Sequence, residues 1–358
     1  MKLPTVLSDL PGSEVFDVVD STKIKCFKDC PRKFFFNYVL HWRKDVPNIH
    51  LEFGTAWHLA KEHLLNHGYK PADVDDAYSL FLAHFRQFFA ESDDLNLGAK
   101  NAGNAYKALN EYAQQYAFTN ANMDILATEI SGKCNLSPDV MASFKIDAVV
   151  RDETGMWVLD HKTSSRDSPT DDASWHLSTQ MALYTHALHC MYPTESVKGA
   201  YVDISVLRKT GNLHKRLPVL KTFAALEEWH HSILYWYDLL QREYDKLSTV
   251  DPSDTFLTAF PMNTECCTKY GACPYMPLCS TPSNPMNNPT QIPGGFRREV
   301  WNPHASDKAW TPKHIMEPDG TLHPPTPAEE AAFKEARERL RELRAHSEAD
   351  DFNFKGFT

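Results

Sequence analysis

The sequence predicts an α/β fold, and three stretches carry that prediction. Residues 143–165 (SFKIDAVVRDETGMWVLDHKTSS) read as a β-hairpin, Ser174–Met191 as a helix, and Gly199–Leu207 (GAYVDISVL) as a further strand. In the hairpin, two apolar runs flank Asp152-Glu153-Thr154-Gly155, a polar turn ending in glycine. If Arg151 pairs with Met156, Asp147 lies opposite Asp160, on one face and roughly 5 Å apart at Cβ. Lys162, two residues beyond Asp160, points the same way. Ile146, Ala148 and Val150 against Trp157 and Leu159 make the other face apolar. A salt bridge on a half-solvated hairpin would give the same pattern, so its meaning depends on what else reaches that face.

Taken in order, residues 1–20 read as an irregular lead-in. From Ser21, STKIKCFKDCPRKFFFNYVLHWR is a helix capped by Ser21 or Thr22 and interrupted or restarted at Pro31. Its lysines and arginines (Lys23, Lys25, Lys28, Arg32, Lys33, then Arg43 and Lys44) alternate with Phe34, Phe35, Phe36 and Tyr38. Those aromatics are expected in the core, with DNA stacking as the minority reading. Phe53–His67 is a helix with Gly54 at its start, where a missing side chain lets another element approach. Helices near Ala72–Ser92 and Lys100–Thr119 form a helical insert, about 68–120, without chemistry of its own. Asp124–Cys134 is the strand entering the hairpin, Leu213–Leu220 pairs with Gly199–Leu207, and Thr222–Leu247 is a long aromatic helix. Pro252–Cys279 is loop-rich, with a cysteine segment at 260–280. Residues 281–326 have a linker's composition, dense in Pro and Asn at their start. Residues 327–358 hold a charged helix, Pro327–His346, and an acidic-aromatic tail, read as a frayed terminus.

Composition narrows the function. The 358 residues carry 37 Lys+Arg against 47 Asp+Glu, a net charge of −10. Only ten of those bases and twelve of those acids follow Ser280, so the tail does not cause the imbalance. A generic nucleic-acid coat is therefore disfavoured; a polyanion must be held in a local groove or through bound cations. No apolar run approaches membrane-spanning length and no signal peptide is visible, so no membrane association and a cytoplasmic location are expected. There, eight cysteines read as thiols or metal ligands rather than disulfides.

Several side chains add to the hairpin face. His58 would complete two acids and a lysine as a nitrogen donor to a divalent cation. Glu129, on the entering strand, is either a further carboxylate of that shell or a solvated strand acid. Gln180 and Tyr184 sit one helical turn apart. Cys267-x5-Cys273-x5-Cys279, with Cys30 far upstream, fits a four-cysteine iron–sulfur cluster, with zinc as the alternative. Cys26 and Cys266 are rival ligands, while Cys134 and Cys190 read as buried thiols.

Together, CPRKF at Cys30, GTAWH ending at His58, Glu129, KID ending at Asp147, LDHKTS around Asp160 and Lys162, QMALY at Gln180–Tyr184 and the late cysteines form an ordered set. It resembles the RecB-like branch of the PD-(D/E)XK nuclease superfamily: iron–sulfur exonucleases of phages, the AddB nuclease domain and CRISPR-associated RecB-like nucleases. The resemblance covers 21–280 and implies a restriction-endonuclease-like central mixed sheet flanked by helices, with an Fe–S clasp joining the two ends of the domain. It implies that His58, Asp147, Asp160 and the His161 carbonyl hold one or two Mg2+ or Mn2+ ions. Lys162 would orient the attacking water, Gln180 and Tyr184 would hold the strand being cut, and a 4Fe-4S cluster would be structural. Phe144 departs from the glycine often found three residues before the first acid, which would narrow substrate access. No Walker A loop is present, so no ATPase is expected.

The activity so implied is a metal-dependent DNA exonuclease acting on single-stranded DNA or DNA ends, in recombination, repair or phage DNA processing. The alternatives are a non-catalytic DNA-end-binding or recombination scaffold, against which the intact Asp–Asp–Lys set argues, and an adaptor docking a recombination or replication protein through its tail.

Overall fold

Asparagine, aspartate and serine oxygens folded back onto the backbone start the long helices. In the computed structural model, Asp20 accepts from the Lys23 N–H at 2.7 Å, Asn48 from His50 at 2.9 Å and Asn101 from Asn104 at 2.8 Å. The first cap is thus Asp20, not Ser21 or Thr22: an Asp at the preceding position reaches the third helical N–H and leaves both hydroxyls inside the first turn. The structure describes residues 14–17, 19–192, 195–269, 271–281, 283–300, 315–316, 322–323 and 327.

Along the chain come α1 (Glu14–Asp17), α2 (Ser21–Asp29), α3 (Pro31–Phe34) continued by a π turn at Phe35–Val39, and β1 (Trp42–Lys44). Helices α4 (Ile49–His67), α5 (Pro71–Phe85) and α6 (Ala102–Ala121) follow. Then come β2 (Asp124–Ser137), β3 (Val140–Asp152), β4 (Gly155–Ser164), α7 (Pro169–Ser174), α8 (Thr179–Met191), β5 (Val197–Val206) and β6 (Leu213–Leu220). The described chain closes with α9 (Phe223–Asp245), α10 (Met276–Ser280), β7 (Phe296–Arg298), β8 (Ile315–Met316) and β9 (Leu322–His323). Pro327 apart, the helix expected at Pro327–His346 and the tail beyond it lie outside the described residues.

The chain divides into two units. The larger, described over residues 48–134 and 144–222, holds most of the mixed five-stranded sheet, in the order β2-β3-β4-β5-β6. The hairpin register matches the expected one: Arg151 pairs with Met156 and Ala148 with Leu159. Strand β5 runs parallel to β4, which requires the crossover that α7 and α8 supply, and β6 returns antiparallel. This is the restriction-endonuclease-like arrangement of a mixed sheet flanked by helices. Leu65 of α4 packs on Ala148, Val150, Trp157 and Leu159. Helices α4, α5 and α6 share a core of Phe53, Trp57, Phe81, Phe85, Leu109 and Tyr112.

Three local features differ from the sequence expectation. Helix α5 stops at Phe85 instead of running to Ser92, because the Arg86 guanidinium turns onto Asp94 at 2.7 Å and onto the Phe89 and Ala90 carbonyls. The helix expected from Ser174 is split by a turn at Trp175–Leu177, and α8 restarts where Ser178 accepts from Met181 N–H. Gly54 makes no close approach: a Cβ there would meet nothing within 4 Å.

The smaller unit, residues 1–47, 135–143 and 223–303, is built around an aromatic cluster. Phe27, Phe34 and Phe35 meet Phe260, and Phe36 stacks on Trp42 at 5.5 Å, so these rings are core. Two bases of the basic stretch turn inward, while Lys25, Lys28 and Lys44 are exposed. Lys23 is buried with Nζ on the Val15 carbonyl, and buried Arg32 donates to the carbonyls of Phe260 at 2.9 Å and Leu257 at 2.7 Å. Early and late segments are also joined by β1–β7 pairing and by Tyr275 Oη donating to the Trp42 carbonyl. Asn284 and Met286, within the stretch of linker composition, are buried. Among the described residues no helix is long and apolar enough to cross a membrane.

Candidate active site

The hairpin places its acids in the interior rather than on a wet face. Asp160 is 1% and Asp147 8% exposed, and Val149, Val158 and Met156 beside them are fully buried. A surface salt bridge is therefore excluded as the meaning of the motif, since carboxylates taken out of water must be paired or bind cations.

Each acid has defined partners. Asp147 Oδ2 accepts the His161 main-chain N–H at 2.7 Å, and its Oδ1 lies 3.2 Å from His58 Nδ1. Asp160 is gripped by Lys162, with Nζ 2.9 Å from Oδ1 and 2.7 Å from Oδ2. The Lys162 ammonium also lies 6.0 Å from the centre of the Trp175 ring. Glu129 pairs with Lys145 at 3.0 Å. Its backbone is left-handed, with φ +52°, a conformation that interrupts the strand's regular alternation and re-aims a side chain.

Ligand atoms of His58, Glu129 and Asp147 lie within 4.8 Å of one another. One imidazole nitrogen and carboxylate oxygens form a donor set that suits a divalent cation such as Mg2+ or Mn2+. Burial favours the neutral form of Asp147, yet the His58 imidazole and the Lys162 ammonium more than reverse this and hold its carboxyl well below the usual range. Asp160 is pushed up to about 6 by burial, with Lys162 only partly compensating. Burial opposes a charged His58, but Asp147 outweighs it and raises the imidazole. Burial and the neighbouring Asp147 raise Glu129. Burial thus holds Asp160 and Glu129 above the usual carboxylate range while Asp147 is kept ionised by its cationic neighbours.

On α8, Gln180 Nε2 donates to Tyr184 Oη at 2.9 Å. Phe144 is buried, with its ring against Gly132 where a Cβ would lie 2.9 Å away. The sequence reading passed over Asp203, on β5, and the side chains around it. Asp203 is 2% exposed and its Oδ2 contacts His161, Tyr112, Lys61 and Arg216. The available signal was an acid inside the apolar run GAYVDISVL. The helical insert, read as lacking chemistry, supplies Tyr112 to this cluster.

Cys30, Cys267, Cys273 and Cys279 line one cavity of about 180 Å3, together with Lys33 and Tyr275. The Asn263 main-chain N–H points at Cys30 Sγ, 3.4 Å away. Among the described residues no three of the sulfurs lie within 4.8 Å of one another. Cys266 lines an adjoining pocket, whereas buried Cys26 takes a long contact from Asn37 and its thiol is pushed up to about 12 by burial. Cys134 is buried as expected. Cys190 is exposed on the last turn of α8, which presents it to solvent rather than the core.

No curated protein sequence matches the chain. Among solved structures, one described as "Crystal structure of SSO0001" is 12% identical, with 60% of this chain and 84% of that chain covered at a TM-score of 0.23. The family model described as the PD-(D/E)XK nuclease superfamily matches residues 21–280, the span that contains the hairpin, His58 and the late cysteines. The chain belongs to the PD-(D/E)XK nuclease superfamily.

Proposed function

We propose that the protein is a Mg2+- or Mn2+-dependent DNA exonuclease acting on single-stranded DNA or DNA ends in recombination, repair or phage DNA processing. The observation that carries the reading is the His58–Glu129–Asp147 donor set, whose Asp147 lies on the same hairpin as the buried Asp160–Lys162 pair. The preference for ends and the biological setting rest on the resemblance to RecB-like exonucleases.

His58, Asp147 and Asp160, with the His161 carbonyl and with Glu129 beside them, hold the cation. When bound, it supplies Lewis-acid stabilisation of the phosphate oxygens. Lys162 orients the attacking water and offsets charge developing on the phosphate. The Gln180–Tyr184 pair holds the strand being cut. Cys30, Cys267, Cys273 and Cys279 hold a 4Fe-4S cluster that fastens the two ends of the 21–280 nuclease domain. Zinc in the same four thiols is the alternative.

End-labelled single- and double-stranded DNA incubated with Mn2+ tests the reading. Degradation by the parent chain, lost in Asp160→Ala and Lys162→Ala, is expected. Equal activity in both variants and parent would sink it.

A further inference from the structure

We infer that Asp203 is a positioning residue for the metal site and acts on it through His161. The inference rests on the nuclease reading above. Asp203 is a carboxylate in the middle of a buried strand, tolerated only where donors or cations compensate it, and here the compensation is concentrated on one oxygen: Oδ1 has no hydrogen-bond partner among the described residues. Asp203 Oδ2 receives the Tyr112 hydroxyl at 2.7 Å and His161 Nδ1 at 2.9 Å. Lys61 Nζ lies 3.2 Å and Arg216 Nη2 3.5 Å from the same oxygen. Four groups from α4, α6, β4 and β6 converge on one atom.

Only one of the four belongs to the Asp-x-Lys segment. His161 and Asp203 are register partners across the parallel β4–β5 ladder, so the contact is between neighbouring strands on one face. An ionised carboxylate only accepts, so His161 Nδ1 carries the proton that binds it. The same residue's main-chain N–H holds Asp147 Oδ2 at 2.7 Å. Ring and backbone of His161 therefore join Asp203 on one side of the strand to Asp147 on the other. Asp160 and Lys162 are its immediate neighbours in the chain. A lever this short fixes the carboxylates before a cation arrives, the arrangement by which outer partners set metal affinity.

A merely structural Asp203, there to neutralise Lys61 and Arg216, would lower the melting temperature and leave the folded protein's metal affinity alone. The two roles separate in direct Mn2+ titration by electron paramagnetic resonance, with thermal melting recorded on the same samples. His161→Leu, which breaks the link while leaving Asp203 its other partners, is expected to weaken Mn2+ binding about tenfold to a hundredfold. It should lower kcat with little change in the KM for DNA. His161→Asn, whose amide can donate from nearly the position of Nδ1, should recover most of the affinity. Asp203→Leu should match His161→Leu; if it does not fold, the His161 pair decides. His161→Leu that melts cooperatively and binds Mn2+ like the parent overturns the inference while leaving the nuclease reading intact. A parent chain that binds no Mn2+ overturns both.

Discussion

Asp147 accepts the main-chain N–H of His161 at 2.7 Å, so the first acid of the motif is held by the residue that follows the second. With His58 at its other oxygen, Asp147 has no freedom to turn away from the site. The hairpin thereby delivers a preorganised carboxylate rather than a solvated one.

Binding and chemistry should separate by residue. Asp147→Asn and Glu129→Gln are expected to weaken Mn2+ binding at least about tenfold, since each removes an anionic donor. Lys162→Ala should retain Mn2+ and lose cleavage by about 10²–10⁴-fold, the usual worth of a positioned proton-transfer group. Isothermal titration beside single-turnover cleavage checks both.

Acid should expel the metal. Asp160, pushed up to about 6, is mostly ionised at pH 7 and mostly protonated at pH 5, and His58 also holds its proton more firmly than usual. A cation must displace those protons, so Mn2+ affinity is expected to fall about tenfold between pH 7 and 5 on Asp160's account alone, and further with His58. Affinity unchanged across that range would contradict the assignment of both as ligands.

The cysteines should sort into two classes. Cys30→Ser and Cys279→Ser are expected to abolish a visible band near about 400 nm in anaerobically purified protein, whereas Cys26→Ser retains it. Arg32→Met is a separate test of the clasp. It strips the guanidinium donors from the Leu257 and Phe260 carbonyls and should cost about 3 kcal/mol in chemical denaturation, with the band initially intact.

Gly54→Ala should stabilise the chain by about 1 kcal/mol, because the position is inside a helix and a Cβ there meets open space. Cleavage should persist. A loss of activity in a stabilised variant would place the substrate against that turn of α4.

Much of this was already legible in the chain. Strand alternation and the Asp152–Gly155 turn determined the hairpin register, and with it the juxtaposition of Asp147, Asp160 and Lys162, because pairing from a tight turn leaves one counting rule. Helix ends were less legible, since Arg86 and Asp20 act through side-chain hydrogen bonds that compete with propensity. Tertiary structure alone decided that both faces of the hairpin are buried, that Glu129 turns left-handed beside His58 and Asp147, and that Lys61, Tyr112, His161 and Arg216 meet on Asp203. Those contacts join residues as far apart in the chain as Lys61 and Asp203, and periodicity carries no record of which distant side chains will share one carboxylate.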